Sequence, residues 1–81
     1  MTSKSDIKYW LERGIKEKAT HVIIVCDTYD YEDYPVFIMK DQDITKEYER
    51  LNNKNMQEVM EVYNLSMNIN DQLDKSRSLN F

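Results

Sequence analysis

The chain has 81 residues, with 15 acidic against 11 basic side chains, a net charge of −4 and a pI near 4.9. That length holds one domain, residues 1–81, with a modest core. The acid excess excludes the basic stripe that a nucleic-acid polymer demands, and a single cysteine excludes the disulfide framework of a small secreted fold. No apolar run approaches a membrane span, and MTSKSDIKYW lacks the apolar core of a signal peptide. The expectation is a soluble intracellular protein with no membrane partner.

Ser3 and Asp6 have capping-box spacing, with Ser5 as a rival cap. Ile7, Trp10, Leu11, Gly14 and Ile15 then share one face of a helix predicted over 6–18, and Lys16 and Lys18 suit its C-terminal dipole. Gly14 costs about 1 kcal/mol against Ala in a helix, and its place on the buried face points to a close approach of the sheet. Val22 to Cys26 are consecutive apolar residues, too few for a helix and suited to a strand over 21–27 buried on both faces. The helix covers one of those faces. The other requires a second helix or a neighbouring subunit, which points to a homo-oligomer.

Val36, Phe37, Ile38 and Met39 form a second strand over 35–40, opened by Pro35. Asp43 caps a short helix over 44–51, whose Ile44, Tyr48 and Leu51 share a face, and the asparagines at 52, 53 and 55 end it. Residues 56–65 read two ways: Met56, Val59, Met60, Tyr63 and Met67 match a helical stripe, while 59–65 also match a strand. A two-stranded hairpin is a poor core, which favours a third strand at 58–65. Asn70 or Ser66 caps a last helical segment containing 71–77, and Leu79-Asn80-Phe81 is an apolar tip expected to dock. The fold class is α+β: a small, mainly antiparallel sheet packed against an N-terminal helix, with a short C-terminal helical segment. The C-terminal segment or another subunit is expected on the far face of the sheet.

The chemistry is spare. His21 and Cys26 fall on opposite faces of one strand, so they form no nucleophilic pair within a chain, and Cys26 reads as a small core residue. One His and one Cys do not make a zinc site. Asp27, Asp30, Glu32 and Asp33 lack the glycine and spacing of an EF-hand loop and read as a solvated acidic loop. The only glycine is Gly14, so no loop cradles a phosphate. Neither a catalytic set nor a cofactor is expected.

The aromatics say more. Tyr29, Tyr31 and Tyr34 lie in or beside the acidic connection, and with Trp10 they offer faces that stack on bases or pack at an interface. Lys75, Arg77 and His21 are candidates for phosphate, and Asp27, Thr28 and Asn80 for ribose or base edges. The same Tyr-rich loop, 27–35, equally suits the hot spot of a protein-binding inhibitor or adaptor.

Four stretches carry a resemblance: WLERG, then ATHVIIVCDTYDYEDYPVFI, then NKNMQEVMEVYNLS, then QLDKSRSLNF. Together they span about residues 9–81 and resemble a group of small bacteriophage immune-evasion proteins, the anti-CBASS cyclic-nucleotide sponges. The resemblance implies a homo-oligomer, a tetramer, that binds cyclic dinucleotides such as 3′,3′-cGAMP in the cytoplasm of the infected bacterial host. It implies sequestration without cleavage, and hence no enzyme. Two features depart from the group: Tyr29 stands where Phe is frequent, and Leu79-Asn80-Phe81 replaces a more aromatic, more basic end.

Overall fold

The computed structural model describes residues 3–52, 56–75 and 79–81. The elements run α1 (Lys4–Lys16), β1 (His21–Asp27), β2 (Asp33–Ile38), α2 (Ile44–Leu51), β3 (Gln57–Asn64) and α3 (Ile69–Leu73). The three strands form an antiparallel sheet in the order β2-β1-β3, so the apolar strand β1 lies at its centre. The α+β class, the N-terminal helix and the short C-terminal helix are as the sequence predicts.

Alternation along β1 divides the core. Val22 and Ile24 pack with Ile7, Leu11, Tyr63 and Leu73 under α1 and α3. Ile23 and Val25 pack with Ile38, Leu51, Val59 and Val62 on the other face, where Ile44 and Tyr48 of α2 close over them. The far face is therefore covered by α2, and α3 sits on the same side as α1. α2 is the second helix that the strand requires, and it corrects the expectation that the C-terminal helical segment packs there. The Ile44, Tyr48 and Leu51 stripe is the physical reason: it presents one apolar side to the sheet. The central strand thus finds both covers within one chain.

Boundaries shift for identifiable reasons. α1 begins at Lys4, not at residue 6, because Ser3 is its cap: Asp6 N–H donates to Ser3 Oγ and Ser3 N–H to Asp6 Oδ2, each at 3.2 Å. It stops at Lys16 in a Schellman turn, with Ala19 N–H bonded to the Gly14 carbonyl and Lys18 N–H to that of Ile15. Lys18 takes the left-handed position there, at φ 63°. β2 starts at Asp33, so Pro35 lies inside the strand rather than opening it. β2 is an edge strand, and the Asp27 N–H to Glu32 carbonyl bond sets a ladder parity in which Pro35 faces outward, where no donor is needed.

Residues 57–64 form a strand, and its register explains the ambiguous pattern. Ile24 faces Glu61 while Val25 faces Val59, so the ladder steps past Met60 at a bulge. Val59 and Val62, three apart like helical neighbours, thereby reach the same face. The outer edge of β3 is covered by side chain and tail. Gln72, 2% exposed, accepts from Asn64 N–H at 2.8 Å and donates to the Asn64 carbonyl at 2.9 Å, as a neighbouring strand would. Asn80 N–H bonds the Val62 carbonyl at 3.0 Å, and the Phe81 ring packs at a tilt against Tyr48 with centroids 5.0 Å apart, so the C-terminal tip docks. α3 is capped by Asn68, not by Asn70 or Ser66, and ends at Leu73. Residues 76 and 77 of the predicted helical segment lie outside the described residues.

Gly14 leaves no room for a side chain between α1 and the sheet. A Cβ there would stand 2.9 Å from Val22 Cγ2 and 3.0 Å from Leu65 Cδ1. Val22 is stiff at χ1 and fully buried, so it cannot yield cheaply. Gly14→Ala gains about 1 kcal/mol of helix propensity but forces overpacking that costs about 1–3 kcal/mol. The expected net result is a Tm lowered by several degrees in a thermal melt; an unchanged or raised Tm would contradict this packing.

Candidate functional site

The acidic connection between β1 and β2 is a compact, bonded loop. Asp27 Oδ1 accepts from Tyr29 N–H at 2.8 Å, and Asp30 Oδ1 from Glu32 N–H at 3.2 Å. Tyr31 N–H bonds the Asp27 carbonyl at 2.7 Å, and Thr28 N–H the Met56 carbonyl at 2.8 Å. Tyr31 and Met56 both adopt left-handed backbone, at φ 59° each, which the surrounding bonds hold in place. The result is a firm backbone that exposes its rings: Tyr29 and Tyr31 are each 79% exposed. Tyr34 is less so, because it lies on β2 and its hydroxyl donates to Gln57 Oε1 at 2.6 Å.

The other predicted contacts lie elsewhere. His21 opens β1, six residues from Asp27 and so about 20 Å from the tyrosine loop. Trp10 is half-buried and packs against the core beneath α1. Asn80 runs along β3, with its Nδ2 buried and without a partner among the described residues. Lys75 follows α3 at the rim of a separate cleft, and Arg77 lies outside the described residues. Asp27, Thr28, Tyr29, Tyr31 and Tyr34 are thus brought together, whereas His21, Trp10, Lys75 and Asn80 are not brought to them.

Two clefts accompany this arrangement. One, about 380 Å³, opens at the His21 end of the sheet between Ile15, Ala19, Thr20, Asn64 and Leu65. The second, about 390 Å³, lies between α1, β3 and α3. Its walls carry Lys4 and Lys75, with Glu61 and Asp74 beside them and Ile7, Leu73 and Tyr63 as apolar lining. Lys4, Glu61, Tyr63 and Asp74 were not singled out by the sequence. Their proximity depends on α3 folding back beside α1, which no local spacing encodes.

The electrostatics of the titratable groups are simple. Burial pushes the Cys26 thiol up, and the neighbouring carboxylates of Asp33, Glu58 and Asp27 push it further. The thiolate is therefore disfavoured, and His21 stands at the far end of the same strand. Burial also raises the Tyr63 phenol, which hydrogen-bonds to Glu61 and keeps its proton. Among the described residues no group of His, Cys, Asp and Glu is placed to hold a metal ion, and no helix is long and apolar enough to cross a membrane. Comparison with protein-family models, with curated proteins and with solved structures gives no match.

His21 supplies a pH signature. The Thr20 hydroxyl donates to the Ile38 carbonyl at 3.1 Å, so its oxygen accepts from His21 Nδ1–H at 2.9 Å. Nε2 is then a bare acceptor, buried without a donor among the described residues. Burial lowers the pKa of this imidazole below its usual 6.5. The unfolded chain therefore binds the proton more readily, and the His21 contribution to stability is complete above pH 6.5 and declines as pH falls below it. In melts at pH 7.5 and 5.5, wild type is expected to lose more Tm on acidification than His21→Gln; equal losses would place the titration elsewhere.

Proposed function

We propose that this chain is a bacteriophage sponge: it binds and sequesters cyclic dinucleotide immune signals, of which 3′,3′-cGAMP is an example, without cleaving them, and so blocks CBASS defence. The observation that carries this reading is the CDTYDYEDYPV stretch. Its sequence resembles the sponge family, and its tyrosines stand exposed on a firm backbone. Rings held out in this way lose little freedom on stacking, and stacking on a base contributes about 1–3 kcal/mol. The sponge would act in the cytoplasm of the infected host, as a homo-oligomer, a tetramer by the same resemblance. With β1 covered by α2, oligomerisation is not needed to bury the core. Its role would be to bring together binding groups that a single chain keeps apart, such as the tyrosine loop and His21.

One observation favours a second reading. Residues 27–35 hold four carboxylates and no Lys or Arg, so the loop itself repels phosphate. A protein-binding inhibitor or adaptor would use this surface against a cationic partner.

Thermal melts with and without a panel of cyclic dinucleotides separate the two. A sponge at 100 times Kd gains about 2.7 kcal/mol, a rise in Tm of about 10 °C or more for a domain of this size. No shift with any cyclic dinucleotide would defeat the sponge reading and leave the adaptor.

A further inference from the structure

We propose that phosphate is held in the cleft between α1, β3 and α3 rather than at the tyrosine loop, and that the edge of one base, a guanine, is read in the same cleft. This rests on the sponge reading and names the part of the ligand that this cleft recognises.

Charge distinguishes the two surfaces. A cyclic dinucleotide carries two phosphodiester anions. The loop 27–35 offers them four carboxylates and no cation. The cleft instead sets two lysines from different elements, Lys4 in the first turn of α1 and Lys75 just beyond α3, against the carboxylates of Glu61 and Asp74, so it is neutral in formal charge where the loop is wholly negative. Both lysines are exposed, so their ammonium groups are within reach of a ligand. An ammonium pairs with phosphate as a mobile point charge, which suits a ligand that enters from solvent.

The remaining lining fits a base. The floor of the cleft is apolar: Ile7, Leu73 and Tyr63 belong to the core and are 8%, 8% and 1% exposed, so a planar ring would rest on the little of them that shows. At about 390 Å³, the space is at the lower end of the range for small-ligand pockets, enough for one nucleotide half. The carboxylate of Asp74 stands next to Lys75 at the end of α3. Guanine presents two adjacent donors on one edge, N1–H and the exocyclic N2–H, which a carboxylate accepts together. Adenine presents a donor beside an acceptor on the corresponding edge, and the ring nitrogen would meet a carboxylate oxygen with lone pair against lone pair. A site with lysine for phosphate and a carboxylate for the base therefore selects guanine over adenine.

The test is calorimetric titration of the full chain with 3′,3′-cyclic di-GMP and with 3′,3′-cyclic di-AMP. Wild type is compared with Lys4→Gln, Lys75→Gln and Asp74→Asn, all at exposed positions and each checked for an unchanged circular dichroism spectrum. Wild type is expected to bind the guanine ligand more tightly. Each lysine variant should weaken both ligands by about tenfold or more. Asp74→Asn, which exchanges one acceptor for a donor, should reduce the preference for guanine by about tenfold. Binding that is unaltered in all three variants would place the ligand elsewhere and overturn the inference while leaving the sponge reading intact. An adenine preference in wild type would overturn the base assignment. Failure of wild type to bind either ligand would overturn this inference alone when another cyclic dinucleotide still raises the Tm, and the sponge reading together with it only when none does.

Discussion

Everything in this fold depends on burying both faces of β1. Val22, Ile23, Ile24 and Val25 are at most 1% exposed, and the other side chains buried as completely, Leu11, Ile38, Val59, Val62 and Tyr63, pack around them. Burying each such side chain contributes about 1.5–3 kcal/mol, so this strand alone accounts for a large part of the driving force. One face takes α1 and α3, the other α2. That requirement dictates the rest. β1 must be central, so its two partners become edges. Pro35 turns its missing donor outward on one edge, and Gln72 with the C-terminal tail covers the other. Gly14 lets α1 settle closely enough to close the first face.

The fold was largely legible because its decisive signals are local. The uninterrupted run in β1, the stripe of α1 and the Ser3–Asp6 capping box each declare an element without reference to any other. What escaped depends on relations between elements. The sequence shows that β1 needs a second cover but does not show which element returns to provide it. Ile44, Tyr48 and Leu51 were visible as a face, yet their destination is set by the direction in which the chain leaves β2. The pattern at 56–65 misleads for a specific reason: a bulge at Met60 gives a strand the spacing of a helix.

The candidate site was legible only as residue types. The tyrosine loop is contiguous in sequence and stays together in space. His21 and Trp10 share neither its position nor its exposure; the rise along β1 already separates His21 from Asp27 by about 20 Å, whereas the place of Trp10 depends on how α1 packs. The cleft of Lys4, Glu61 and Asp74 draws on three parts of the chain and so has no signature of its own in the sequence. The protein thus separates its exposed rings from the lysines of the cleft: rings beside carboxylates on the loop, and Lys4 and Lys75 beside Glu61, Asp74 and an apolar floor in the cleft. A ligand with flat bases and anionic linkages is the kind of molecule that would use both.

The central claim is sequestration without chemistry, and recovery of the ligand tests it most directly. The protein is incubated with 3′,3′-cGAMP, freed of unbound nucleotide by gel filtration and heated until it unfolds, and the released material is analysed by mass spectrometry. The account predicts intact 3′,3′-cGAMP in amounts stoichiometric with the protein. Linear or hydrolysed nucleotide, or no nucleotide carried through the column, would contradict it.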